Sequence, residues 1–139
     1  MEIITKNVKE TQKIGMFLSE EIKKEKSRKN KAIVIALEGN LGGGKTTLVQ
    51  GFARGLGIKD KITSPTFVIM KKYDFLYHID CYRINEKDLI ELGFNEIIGD
   101  SRNIIIIEWA EKIKKILFQN TLWLKFEYLD KNKRRISIK

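Results

Sequence analysis

The sequence predicts an α/β fold with a mixed sheet, parallel strands at the centre and antiparallel additions, and three observations carry that reading. Residues 32–37 and 104–107 are short, wholly apolar runs rich in β-branched side chains, the composition of buried strands. Each is followed by residues with helical periodicity, the alternation that covers a parallel sheet with helices. Residues 67–70 and 76–82 are strand-like too, but the five residues between them are too few for a crossover helix, so they form an antiparallel hairpin.

Taken in order, Asn7 and Glu10 have the spacing of a helix N-cap and its N3 partner. Ile14, Phe17, Leu18 and Ile22 then share one face, predicting a helix over residues 8–24. Polar residues 27–31 form a loop before the first buried strand. A helix beginning near Lys45 buries Leu48, Phe52 and Leu56, and Gly57 suits a left-handed C-cap. After the hairpin, Asn85 caps a short helix containing Leu89, Ile90 and Leu92 that ends near Gly93. The second buried strand is followed by a helix with Ile113, Ile116 and Leu117, and residues 121–127 and 135–138 read as two further strands. With no repeat and no low-complexity linker, residues 1–139 form a single domain.

Between the first strand and its helix lies Gly39-Asn40-Leu41-Gly42-Gly43-Gly44-Lys45-Thr46, a G-x-x-x-x-G-K-T phosphate-binding loop in the strand–loop–helix context that gives the pattern its meaning. A polyphosphate needs many donors at short range. Gly42, Gly43 and Gly44 accept positive φ, so successive N–H groups turn inward as an anion nest. The helix start adds its positive dipole end. Lys45 is a point charge for the β- and γ-phosphates, and the Thr46 hydroxyl suits Mg²⁺. The fold class is therefore a P-loop NTPase-like three-layer α/β arrangement.

The chain's 139 residues leave little room for a second domain or a substrate lid. No apolar run approaches a membrane span, and Met1 to Lys6 lack the apolar core of a signal peptide, so a soluble cytoplasmic protein is expected. A single cysteine, Cys81, excludes an internal disulfide framework and a cysteine-based zinc site. The net charge of +9 suggests nucleic acid, but 21 lysines against 6 arginines, beside 22 isoleucines, is also the drift of an AT-rich genome. Basic clusters at residues 23–31 and 131–135 serve either a solvated surface or an RNA backbone.

A P-loop enzyme needs a carboxylate near Mg²⁺ at the end of a neighbouring strand, and Glu108, directly after residues 104–107, has that position. In the hairpin, His78, Asp80 and Tyr82 share one face by the period-two rule. Such a face either meets water or lines the site, because those groups are costly to bury unpaired. Asp80 is the candidate for a metal-water ligand or for orienting water; His78 serves equally as a hydrogen-bonded structural residue. Cys81 fills core. Thr63-Ser64-Pro65-Thr66-Phe67 lies where a phosphate-sensing switch loop would be, and the spacing alone suits an ordinary loop equally.

Together, Glu38 to Thr47, Thr63 to Phe67, His78-Ile79-Asp80-Cys81-Tyr82-Arg83 and Ile107-Glu108-Trp109-Ala110-Glu111 resemble, in order and spacing, the bacterial TsaE (YjeE) family over essentially the full length. The resemblance implies an ATP- and Mg²⁺-dependent ATPase, weak alone and stimulated by partners. It would be required for the threonylcarbamoyl modification of the adenosine beside the anticodon in ANN-decoding tRNAs. The implied partners are TsaD and TsaB, with tRNA met indirectly through the complex. Residue by residue, the resemblance assigns nucleotide contacts to Thr11, Gly42, Gly43, Gly44, Lys45, Thr46 and Thr47. It assigns Mg²⁺ to Thr46 and Glu108, and catalysis to Lys45, Asp80 and Glu108; Trp109 matches a tryptophan beside the site. The family commonly reads Asp-Leu-Gly-Ala-Gly-Lys where this chain has Asn40 and Gly43, and neither change removes a phosphate donor. The competing reading is a small phosphotransferase, which needs an arginine-bearing lid; after Glu108 only Arg134 and Arg135 remain.

Overall fold

In the computed structural model, which describes residues 1–26, 30–39, 44–64 and 68–139, the two apolar runs lie side by side. They form β2 (Ile33–Glu38) and β5 (Ile104–Glu108), parallel, with Ile33 opposite Ile104 and Leu37 opposite Glu108. β4 (Leu76–Asp80) continues the parallel sheet on the far side of β5, and β6 (Leu122–Tyr128) on the far side of β2. Antiparallel strands close both edges: β3 (Met70–Tyr73) beside β4, and β7 (Arg134–Ile138) followed by β1 (Glu2–Thr5) beyond β6. Among the described residues the order is β1-β7-β6-β2-β5-β4-β3.

Alternation along the central strands divides the core into two layers. Ile35, Leu37, Ile104 and Ile106 face α1 (Val8–Lys26) and α2 (Lys45–Gly55), packing on Ile22, Leu48, Val49 and Phe52. Val34, Ala36, Ile105 and Ile107 face the opposite layer. That layer is built from α3 (Glu86–Glu91), α4 (Phe94–Ile98) and a 3-10 segment (Ala110–Ile116), through Leu89, Phe94 and Ile113. A sheet buried on both faces explains why its strands read as unbroken apolar runs. Among the described residues no helix is long and apolar enough to cross a membrane.

α1 and α2 touch through glycine. A Cβ at Gly51 would overlap the Gln12 carbonyl, and one at Gly15 would overlap the Leu48 carbonyl. On an exposed helix Gly→Ala stabilises by about 1 kcal/mol. Here the sign is expected to reverse: Gly51→Ala must push two backbones apart, an overpacking cost of about 1–3 kcal/mol. The check is a lower urea midpoint at unchanged slope.

Local expectations met tertiary corrections in four places. Asn7 does cap α1, its Oδ1 accepting from the Glu10 N–H at 2.9 Å, but the Glu10 carboxylate reaches past the cap to the Lys6 N–H at 2.8 Å. The first hairpin strand, expected over residues 67–70, of which Phe67 lies outside the described residues, runs instead over Met70–Tyr73: Asp74, at φ 57°, and Phe75 form a tight turn that pairs Tyr73 with Leu76. That register puts Lys71 and Lys72 on an edge strand, where charge discourages pairing with other chains. Tyr82 does not share a strand face with His78 and Asp80, because β4 stops at Asp80 and Tyr82 lies in the following turn. The segment with Ile113 and Ile116 is a 3-10 helix interrupted at Ile113, and Leu117 only caps it. β1 and α4 carry no clear local pattern that predicts them. Cys81 is core, as expected, and burial pushes its thiol up to about 12.

Candidate nucleotide and metal site

The parallel strands all end on one edge of the sheet, and the chemistry collects there. β2 runs into Gly39 and α2 starts after Gly44, which takes φ 93°, a conformation that favours glycine. Gly44 is the helix N-cap and supplies no side-chain acceptor, so the N–H groups of the first turn keep their capacity for an anion. Asn40, Leu41, Gly42 and Gly43 lie outside the described residues, as do Pro65, Thr66 and Phe67 of the expected switch loop. Thr63 and Ser64 are exposed, and Lys71 Nζ donates to Thr63 Oγ1 at 2.5 Å.

Lys45 is 5% exposed. Its ammonium donates to the Gly39 carbonyl and sits 4.0 Å from the centre of the Trp109 ring. The indole gets there because Trp109, the residue after β5, adopts φ 59° and turns the chain back over the sheet edge. Burial lowers the Lys45 pKa, and the carboxylates of Glu108, Glu111 and Asp80 oppose that shift. Three acids around one buried cation leave negative charge in excess, which suits a further cation.

Glu108, at the end of β5, is 4% exposed. The Thr46 hydroxyl donates to its Oε2 at 2.9 Å, joining the start of α2 to the end of β5. The same oxygen lies 2.6 Å from Nε2 of His78, which is fully buried on β4. An ionised carboxylate only accepts, so the ring hydrogen belongs on Nε2. Asp80 stands in register with Glu108 on the adjacent parallel strand, also 4% exposed, and its Oδ1 accepts from the Tyr82 N–H at 2.8 Å. A hydroxyl and a buried carboxylate are hard oxygen donors of the kind Mg²⁺ takes, so these residues fit that ion.

Thr11 reaches the same edge from α1. It is 3% exposed and its Oγ1 lies 2.7 Å from Thr5 Oγ1 on β1. Thr11, Gly44 and Thr47 line a pocket of about 360 Å³ together with Asn7, Lys131 and Arg134. The volume falls in the range of small-molecule sites. Arg134 packs against Tyr128, its guanidinium carbon 4.5 Å from the ring centre. The basic tail thus meets the phosphate-loop helix. No local sequence signal announces this, because the two come together only through the β6–β7 turn. The other basic cluster is partly neutralised on its own helix, Lys23 by Glu20 and Lys24 by Glu21. Tyr82 packs against Trp109 with ring centres 4.9 Å apart and planes tilted by 52°, so it supports the indole over Lys45.

Residues 5–136 match the family model described as threonylcarbamoyl adenosine biosynthesis protein TsaE. The tRNA threonylcarbamoyladenosine biosynthesis protein TsaE of Bacillus subtilis (strain 168) is 40% identical over 108 residues, 75% of this chain and 67% of that protein. The protein of the same name from Treponema pallidum (strain Nichols) is 36% identical, covering 76% of this chain and 80% of its own length. Among solved structures, the crystal structure of Bacillus subtilis YdiB superposes with a TM-score of 0.77 at 31% identity, covering 99% of this chain and 83% of that one.

Proposed function

The chain belongs to the TsaE family of tRNA threonylcarbamoyladenosine biosynthesis, and from that premise we propose that it is the Mg²⁺-dependent ATPase subunit of the modification machinery. It acts with TsaD and TsaB in the cytoplasm, on the adenosine beside the anticodon of ANN-decoding tRNAs, and meets tRNA through the complex. The observation that carries the reading is the Lys45–Thr46–Glu108 constellation at one sheet edge, where a buried ammonium, a hydroxyl and a buried carboxylate converge.

Each residue has a task that its surroundings support. The N–H groups at the start of α2 and the Lys45 ammonium bind and orient the phosphates. Trp109, backed by Tyr82, covers that ammonium on one side, which strengthens its pull. Thr46 and Glu108 would hold Mg²⁺, which when bound neutralises charge on the phosphate oxygens. Asp80, one strand away, is placed to orient water. The pocket lined by Thr11, Thr47 and Arg134 takes the nucleoside end.

Purified protein should hydrolyse ATP slowly alone and several-fold faster with TsaD–TsaB. Depleting it in cells should lower threonylcarbamoyladenosine in bulk tRNA. Rapid hydrolysis indifferent to the partners would overturn the subunit role, and undiminished modification after depletion would overturn the pathway.

A further inference from the structure

We infer that His78 is a positioning residue for the metal-binding carboxylate, holding Glu108 Oε2 so that the site is set before any cation arrives; this rests on the proposed Mg²⁺ site. The geometry is specific. His78 is fully buried on β4, and its Nε2 lies 2.6 Å from the same Glu108 oxygen that accepts the Thr46 hydroxyl at 2.9 Å. Its other nitrogen, Nδ1, is buried and makes no hydrogen bond among the described residues. Among those residues the Glu108 contact is therefore the ring's polar anchor, and burying an imidazole without it would leave both ring nitrogens desolvated and unpaired.

The arrangement has consequences for the carboxylate. Glu108 makes the last ladder pairs of β5, with Leu37 and Asp80, and the terminal torsion of a glutamate is broad where nothing holds the carboxylate. Two donors on one oxygen remove that freedom. They approach from different elements, α2 and β4, so the carboxylate is fixed relative to both the phosphate-loop helix and the neighbouring strand. Neither of these two bonds uses Oε1, so among the described residues that oxygen is the one open to a cation or its water. The Thr46 hydroxyl can keep donating to Oε2 while its own lone pairs face the cation. Without His78 the carboxylate would have to be ordered at the moment of metal binding, and outer partners of this kind typically contribute ten- to a hundredfold in metal affinity.

The test uses three variants of the full chain. His78→Gln places an amide nitrogen near the position of Nε2 and keeps the donor. His78→Asn ends one carbon shorter, near Nδ1, and cannot reach Glu108. His78→Leu keeps apolar packing and removes the donor. Folding is checked by thermal melts. Calorimetric titration with ADP in EDTA, and with ADP plus saturating Mn²⁺, then gives two affinities whose ratio is the metal's contribution.

The expected result is unchanged ADP binding in EDTA for every variant. The metal's contribution should fall about tenfold in Asn and Leu and be restored in Gln. Equal ratios in Gln and Asn, whether both near wild type or both lost, would overturn the positioning role, as would failure of all three variants to fold. A wild-type chain that binds ADP with no gain from Mn²⁺ would instead sink the metal site itself.

Discussion

Lys45→Ala is expected to lower ATP turnover by about a hundredfold or more, the scale of losing one preorganised charge-stabilising donor. Nucleotide affinity should fall by at least about tenfold, or about 1.4 kcal/mol. The effect is large because of what remains. Lys45 is a buried cation among Glu108, Glu111 and Asp80, and its removal leaves carboxylates facing the phosphates. The fold should survive, since the side chain's contacts are the Gly39 carbonyl and the Trp109 ring, and burying an ammonium already costs energy. Lys45→Arg should not rescue it, because a rigid planar fork does not reproduce the compact point charge that donates to the Gly39 carbonyl. Turnover assays and nucleotide titration, with a melt as the folding control, check this. Turnover unchanged in Lys45→Ala would overturn the phosphate-loop assignment.

Thr46→Ala and Glu108→Gln are each expected to cut Mg²⁺-dependent turnover by about a hundredfold, with metal-free nucleotide binding kept or slightly improved. Glu108→Gln is the sharper of the two. It keeps the volume, and its amide oxygen can still accept from Thr46, so the loss reads out the charge together with the cation-facing oxygen, which becomes an amide NH2. Removing a carboxylate from the phosphate edge also lowers repulsion toward the nucleotide, which fixes the sign of the metal-free effect. Because both groups serve one ion, the double variant should be little worse than the poorer single. Additive losses would mean that the two residues act at different steps. Wild-type magnesium titration curves in both single variants would remove the metal assignment.

Part of the site is legible in the chain's own residue order. Lys45, Thr46 and the glycines are carried by a contiguous motif, and Glu108 is marked by its place directly after four isoleucines. Alternation places Asp80 on a strand, but its register beside Glu108 depends on β4 pairing parallel to β5. The same alternation wrongly puts Tyr82 on the strand face, because periodicity does not say where a strand stops. The Asx-like bond from Tyr82 N–H to Asp80 Oδ1 ends it. The shifted first hairpin strand has a similar cause: the apolar run suggests one strand, while the two-residue turn at Asp74 and Phe75 decides the register of another.

β1 shows the limit most clearly. Its four residues are a weak local pattern, and they become a strand only because β7, at the other end of the chain, offers an edge to pair with. The meeting of Arg134 with Gly44 and of His78 with Glu108 has the same character.

By itself the sequence determined the phosphate loop, the buried strands that flank it and the acid at the strand end. Each of these is written in neighbouring residues, as glycine freedom, β-branched runs and the step from apolar to charged. Only the tertiary structure decided which side chains share the Glu108 oxygen and which elements wall the pocket beside Gly44. Those contacts join residues 30 to 90 positions apart, and their partners are chosen by strand order and helix packing, which no local periodicity encodes.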